Sequence, residues 1–382
     1  MGEGMHLAFV CSEYPPSRGG GIGTFTQALG RALARAGHRV DVVGLYDVDE
    51  DCCEEDQGVR VWRLRRAETR FTRFVRNGWK LTRKLRELRA EGLELVEGQE
   101  NAFAAIGPLP GVKKVIRMHG GHHFFAVTLG KKPRPWRAWQ ERRSFEQADA
   151  ICAVSRFVAE TTRELLGLGR REIAILPNFV DTGRFFPRGA DAEEGGLIVF
   201  AGTLCEKKGI RQLILAMPAI LAGAPRARLV VAGRDQADAS VGGSFLAYLR
   251  SLMTNEVAAH VEFLGAVAPD QMPGLLAVAS VCVYPSHMEA MPMAWLEAMA
   301  MGKAVVGSVT GPGPEVIRDG EDGLLCNPHE PEDIAHAVLR CLKDPDLRRR
   351  LGEGARRRVE AEFTPEAMLS KNVAFYERVL RG

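Results

Sequence analysis

Two carboxylates eight residues apart, Glu289 and Glu297, stand in the run HMEAMPMAWLEAMAMGK at 287–303, directly after the apolar stretch 281–284. Pro292 suits the first position of a helix and Gly302 the position after its last turn, so a helix is expected to begin around 290–293, just past a strand end. Such a terminus offers unpaired N–H groups and the positive end of the helix dipole, a site for a diphosphate. Carboxylates beside it serve sugar or ribose hydroxyls better than phosphate, since they accept hydrogen bonds strongly. The alternative is a surface helix with two solvated acids.

A second candidate is GTLCEKKGI at 202–210, which follows an apolar run and opens a helix; Lys208 there can neutralise a diphosphate as a point charge. The alternative is solvated charge around a turn. A third is GGGIGTF at 19–25, where Gly21 and Gly23 allow close backbone approach to a ligand. It fits poorly as a dinucleotide fingerprint: the glycines come late after the strand, and Thr26 stands where the third glycine belongs. A plain flexible loop is its alternative. The fourth is MHGGHHFF at 118–125, where His119 ends a strand and can hydrogen-bond a sugar hydroxyl, or serve as a structural histidine. No acidic partner at helical spacing accompanies the three histidines, and no metal site is expected. Asp47-Val48-Asp49 belongs to DVDEDCCEED, which is read as a solvated acidic loop and not as a metal-diphosphate clamp.

The elements that must position these residues alternate between strand and helix, the pattern of α/β layers around parallel sheets. Strands are expected at 6–11, 39–45, 93–97, 113–118, 150–154 and 173–176, then at 197–201, 228–232, 261–264, 281–284, 304–307 and 323–326. Phe25, Ala28, Leu29, Ala32, Leu33 and Ala36 recur at helical steps until Gly37, and 210–221 reads as a helix in the equivalent place of the second half. A turn-rich seam lies at 177–187, a polar loop follows at 190–196, and a last helix runs from 364 to 380 after Thr364 and Pro365. The expected organisation is 1–180, 181–362, and a terminal helix, 363–382, returning to the first domain.

The 382 residues are 46% hydrophobic and 26% charged, ordinary for a globular protein of two domains. No apolar run approaches the ~18–20 residues of a membrane span, and 7–11, flanked by Glu3 and Glu13, is no signal peptide. The eight cysteines form no C-x-x-C pair, so reduced thiols and a cytoplasmic location, peripheral at most on the inner membrane face, are expected. Residues 1–180 hold 29 basic against 22 acidic residues, the remainder 22 against 26. Between Arg60 and Arg89, 12 basic residues face only Glu68 and Glu87. This stretch interleaves Trp62, Phe71, Phe74 and Trp79 and is roughly amphipathic from Phe71 onward. It can lie on an anionic membrane or pack on its own sheet with a solvated rim; no nucleic-acid motif accompanies it.

Taken together, these motifs resemble the family-4 glycosyltransferases of the GT-B fold, over essentially the whole chain. Glu289 and Glu297 match the family's E-x7-E signature, and ADAICAVS (148–155), ILPNFVD (175–181), FLGAV (263–267), YPS (284–286) and GPGPEVIRDGEDGLL (311–325) are similar as well. The resemblance implies two Rossmann-like α/β/α domains facing each other across a cleft. It implies retaining, metal-independent transfer of a sugar from a nucleotide diphosphate donor, UDP ahead of GDP, to an unknown hydroxyl acceptor, with no cofactor. Lys208 would hold the diphosphate, and the backbone of Ala290, Met291, Pro292 and Met293 would cradle it. Glu297 would bind the ribose and Glu289 the donor sugar; Gly233 and Val267 would pack near the base. His119 would touch the transferred sugar. The loop 19–23, with Gly20, Gly21 and Gly23, would close over the phosphate and acceptor, with Tyr14 on the acceptor side. Two positions depart from the family. Thr203 stands where an Arg usually pairs with the Lys, leaving Arg234 or Lys207 to replace it, and Ala290-Met291-Pro292 replaces the usual G-F-G. Rival expectations are a sugar-nucleotide epimerase of the same fold, a non-catalytic nucleotide-sugar binding protein, and a nicotinamide-dependent oxidoreductase.

Overall fold

The computed structural model describes residues 4–17, 20–69, 72–189 and 193–382. Gly19, Phe71 and the first part of the polar loop, 190–192, lie outside the described residues. The chain divides into two compact units, Met1–Asn178 with Pro365–Gly382, and Phe179–Thr364.

Unit 1 is built on β1 (His6–Val10), α1 (Gly21–Arg35), β2 (Arg39–Tyr46), β3 (Cys52–Asp56), β4 (Val59–Arg65), α2 (Arg73–Ala90), β5 (Leu95–Gly98), β6 (Lys113–Met118), α3 (His122–Thr128), α4 (Pro135–Glu146), β7 (Ala150–Ala153), α5 (Arg156–Leu166) and β8 (Ile173–Ile175). The sheet order is β3-β4-β2-β1-β5-β6-β7-β8, parallel except for the antiparallel β3–β4 pair. Strands β1, β2 and β5 are apolar nearly throughout because both sheet faces are covered.

Two sequence expectations change here. The acidic run at 47–56 is not wholly a loop: Cys52–Asp56 is an edge strand, with Glu54 opposite Val61. Its acids pair with β4 and α1, Glu54 with Arg63 at 2.9 Å and Asp56 with Arg31 at 2.6 Å, so a run that reads as solvated becomes a charged edge. The basic stretch likewise opens on a strand, β4, that is absent from the strands expected from sequence. Arg60 and Arg63 lie on β4, where Arg63 is buried against the Tyr14 and Pro15 carbonyls, and only 73–90 is helical.

Unit 2 comprises β9 (Leu197–Ala201), α6 (Ile210–Gly223), β10 (Arg228–Ala232), β11 (Ala237–Asp238), β12 (Gly243–Ser244), α7 (Phe245–Ser251), α8 (Asn255–Ala258), β13 (Val261–Gly265), α9 (Met272–Val278), β14 (Val281–Tyr284), α10 (Met293–Ala300), β15 (Ala304–Ser308), α11 (Gly313–Val316), β16 (Leu324–Cys326), α12 (Pro331–Lys343) and α13 (Pro345–Glu362). Its six-stranded parallel sheet runs β13-β10-β9-β14-β15-β16. Ile198, Phe200, Leu213, Met217, Leu229 and Val338 sit at the heart of its core.

The last helix, α14 (Pro365–Arg381), belongs to unit 1. The Arg117 guanidinium on β6 donates to Glu97 on β5 at 2.7 Å and 3.1 Å and to Asn372 of α14 at 2.6 Å, and the Tyr376 hydroxyl donates to Glu97 at 2.8 Å. All four side chains are buried. A buried charge is tolerated only with a partner and full hydrogen bonding, which this network supplies.

Candidate active site

In unit 2 the loops after β9 and β14 leave the same end of adjacent parallel strands, the end where open α/β sheets bind ligands. After β9 the chain makes a short 3₁₀ turn, Glu206–Lys208, before α6. Gly209 links them at φ +69°, and a Cβ there would lie 1.7 Å from the Pro285 carbonyl oxygen. Only glycine satisfies both demands. The turn is thereby pressed onto the segment after β14, and the His287 N–H donates to the Lys207 carbonyl at 2.8 Å.

This docking brings Lys208 to Glu289, 81 positions away: Nζ lies 2.5 Å from Oε1. The Ser286 hydroxyl donates to the same oxygen at 2.8 Å. Glu289 is 8% exposed. Burial pushes its carboxyl up, but Lys208, Lys207 and the Ser286 hydroxyl outweigh that and hold it below the usual carboxylate range. Burial lowers the Lys207 ammonium, and Glu289 opposes that shift. Thr310 secures the loop by donating to the Ser286 and His287 carbonyls at 3.1 and 3.0 Å.

Helix α10 begins four residues after Glu289, with Pro292 as its cap and Met293 as its first residue, one residue later than Pro292 at the first position would give, and Gly302 at φ +68° beyond its end. In its first turn the Trp295 N–H donates to the Pro292 carbonyl at 3.1 Å, and those of Met293 and Ala294 have no intrahelical acceptor. Ala290, Met291 and Pro292 are buried and Met293 is half-buried. Glu297 is half-buried in the second turn, and burial raises its carboxyl to about 7 against the opposing influence of Arg184. Of the other expected donor contacts, Thr203 is half-buried in the loop after β9. Gly233 follows β10 with its Cβ position 1.8 Å from the Gly202 carbonyl oxygen. Arg234 is exposed beside Leu204, and Val267 is half-buried after β13. Ser286, Thr310 and Gly209 are contributors to which no role is assigned from sequence; the one signal for Gly209 is a glycine directly after the lysine.

A cavity of about 800 Å³ in unit 2 is lined by Ser280, Lys303 and Ala304 at the opposite, N-terminal ends of β14 and β15. Its arginines are largely committed, Arg348 to Glu193 and Arg356 to Glu360 and the Phe185 and Ala300 carbonyls. The Lys208–Glu289 locus is the chemically distinctive one.

In unit 1 His119 follows β6, its ring edge-on to Phe25 with centroids 5.5 Å apart. Burial and Arg117 push its imidazole down to about 3, so it is neutral at physiological pH. The loop carrying it rests on buried carboxylates. Glu141 accepts the His123 backbone N–H at 2.9 Å and pairs with its ring, and a Cβ on Gly121 would fall 1.8 Å from Glu141 Oε1. Burial raises Glu100, which lies beneath this loop, to about 8. One expectation for the first loop is corrected, that for Tyr14, and its described glycines take defined places. Gly21 and Gly23 form the first turn of α1 instead of a flexible loop, because Gly23 packs with its Cβ position 1.9 Å from the Glu13 carbonyl oxygen. Gly20 is the exposed cap, donating to Glu13 at 3.1 Å. Tyr14 is fully buried with its hydroxyl donating to Asp56 at 2.7 Å, so it is a core residue and not an acceptor contact.

At the C-terminal ends of β1, β2 and β5 lies a cavity of about 470 Å³. Ser12, Glu13, Gln99 and Asn101 give it polar walls, and Phe74 and Trp136 form part of its lining. Among the described residues, no group of three or more His, Cys, Asp or Glu is arranged to hold a metal ion.

Two family profiles divide the chain, glycosyltransferase family 4 at 19–184 and glycosyl transferases group 1 at 182–358. Glycogen synthase of Mycobacterium tuberculosis is 26% identical, over 99% of this chain and 96% of its own. A GDP-mannose-dependent alpha-(1-6)-phosphatidylinositol monomannoside mannosyltransferase of the same organism is 27% identical over 98% of both. The structure of sucrose-phosphate synthase from Thermosynechococcus elongatus superposes with a TM-score of 0.81 at 23% identity, covering 99% of each chain. With twin α/β units, an E-x7-E helix and relatives that match along nearly their whole length, the chain belongs to the family-4 glycosyltransferases of the GT-B fold.

Proposed function

We propose that the protein transfers a sugar, with retention of anomeric configuration and without a metal, from a nucleoside diphosphate sugar to a hydroxyl acceptor. One observation carries this reading: Lys208 and Glu289 meet at 2.5 Å before the N-terminus of α10. Lys208, Lys207 and the α10 N–H groups supply positive charge for a leaving diphosphate, the largest single contribution available to such a reaction. Lys207 stands in for the arginine that Thr203 replaces, since its influence reaches Glu289 while Arg234 is exposed beside Leu204. The sugar C1–O bond to the β-phosphate breaks as the acceptor oxygen bonds C1 on the same face, and the acceptor proton passes to the departing phosphate oxygen. Glu289 accepts hydrogen bonds from the donor sugar and Glu297 from the ribose. Neutral His119 hydrogen-bonds a sugar hydroxyl without adding charge. The donor is a UDP-sugar or a GDP-sugar, UDP first, with Gly233 and Val267 near the base.

A thermal-shift screen of UDP, GDP, ADP and their sugars tests the donor, because a ligand of the native state raises its midpoint. The matching diphosphate should raise the midpoint of the native protein and have no effect on Lys208→Ala. No shift with any diphosphate would defeat the proposal.

A further inference from the structure

Nine large hydrophobic side chains are exposed among the described residues, and five of them, Val75, Trp79, Val127, Trp136 and Trp139, lie on α2, α3 and α4 of unit 1. Three of the chain's five tryptophans are in this group, each 43–61% exposed. Helices α2 and α4 are joined at this face: Phe74 packs edge-on to Trp136 at 5.1 Å and near Trp139 at 5.9 Å, and the two tryptophan rings stack at 4.9 Å. Scattered exposed apolar residues need no explanation, but a stacked and rimmed aromatic cluster marks an interaction site.

The rim is cationic. Residues 72–86 carry six Lys or Arg and no acid, and 131–143 carry six against Glu141 alone, which is buried on His123. Arg143 lies over Trp139, so cation and ring share one surface there, and Arg83 lies over Trp79 further along α2. Tryptophan with Lys and Arg is the composition that settles at the headgroup level of an anionic bilayer: rings enter the acyl boundary while cations meet lipid phosphates. No helix among the described residues is long and apolar enough to cross a membrane.

We infer that this α2–α4 face docks on an anionic phospholipid bilayer. Phe74 and Trp136 belong both to this face and to the lining of the 470 Å³ cavity, to which Ser12, Glu13, Gln99 and Asn101 add polar groups. Docking therefore places the cavity at headgroup depth, and the acceptor is the polar head of a membrane lipid. That assignment of the acceptor rests on the glycosyltransferase reading above; the docking itself does not. It also shifts the membrane surface from the stretch 60–89 to residues 73–86 with 131–143, because Arg60 and Arg63 are engaged within unit 1 with Asp41 and Glu54.

Sedimentation with phosphatidylcholine vesicles, with and without 30% phosphatidylglycerol, tests this. The full-length protein should partition at least tenfold more strongly onto the anionic vesicles and lose most of that binding in 0.5 M salt. Trp136→Ser with Trp139→Ser should lower partition about tenfold, and Arg137→Glu with Arg142→Glu should lower it at least as much. Both variants alter exposed positions, and the nucleotide-induced thermal shift, read in unit 2, should persist in each. Wild-type protein that ignores anionic vesicles, or doubly serine-substituted protein that binds them equally, overturns the docking while a retained nucleotide shift leaves the donor reading standing. Loss of the nucleotide shift in wild-type protein, with vesicle binding intact, sinks the donor reading instead.

Discussion

Both units bury charge at the ligand-facing ends of their parallel strands, and they use it differently. In unit 1 Arg117, Glu97, Asn372 and Tyr376 satisfy one another and tie the terminal helix to the sheet. In unit 2 the corresponding charges are only partly matched: Lys208 remains 27% exposed at its side chain, Glu289 is held as an anion, and burial raises Glu297 to about 7. A closed network holds a fold together, whereas charges left with unused capacity toward an opening are available to a ligand. Unit 1 has such unused capacity too, at the buried Glu100 and Glu141 oxygens under the His119 loop.

The sharpest way to break the comparison is to open the closed network. Arg117→Met strands Glu97 in the core and should cost about 3–5 kcal/mol in urea unfolding; a loss under 1 kcal/mol would mean the network does not anchor α14. Lys208→Ala should lower kcat/KM about 10²–10³-fold, roughly 3–4 kcal/mol of transition-state stabilisation, with a much smaller loss of unfolding free energy than Arg117→Met. The reverse order, stability lost and activity kept, would make the Lys208–Glu289 pair structural.

Gly209→Ala asks whether backbone geometry places the lysine. A Cβ at φ +69° and 1.7 Å from a carbonyl oxygen must displace the turn, so stability should fall by about 1–3 kcal/mol and turnover by at least tenfold. Unchanged kinetics would show that the turn adapts.

The smallest effect concerns Glu297. Burial holds its folded pKa at about 7, above the ordinary glutamate value of about 4.3, so the native state holds a proton that the unfolded chain releases. The stabilisation is complete below pH ~4.5 and lost as pH rises through ~7. Compared with Glu297→Gln, the wild-type protein should lose about 1–2 kcal/mol between pH 5 and 8, a figure discounted for partial exposure. As the carboxylate ionises it becomes a better hydroxyl acceptor, so the donor KM should fall over pH 6–8 in the wild type and stay flat in the variant.

Much of unit 2's site is legible in the sequence because its parts are local. The helix start near Pro292 and the positions of Glu289 just before it and Glu297 in its second turn all follow from one 17-residue run that comes directly after an apolar strand. The lysine turn is equally local. Unit 1 is less legible. An acidic run that reads as loop becomes an edge strand because β4 offers arginines opposite it, and glycines that read as a loop begin α1 because Gly23 packs on Glu13. Tyr14 looks available in sequence and is withdrawn from ligands by a hydrogen bond to Asp56, 42 positions away.

By itself the sequence determined the alternation of strands and helices, the approximate place of the helix terminus after β14 and the residue types beside it, since periodicity and turn chemistry act within a few positions. Only the tertiary structure decided that Lys208 reaches Glu289, that Arg117 closes on α14, and that Phe74 of α2 packs against the stacked Trp136 and Trp139 of α4. Those outcomes depend on contacts between residues far apart in the chain, which the packing of each sheet and its helices settles and no local pattern encodes.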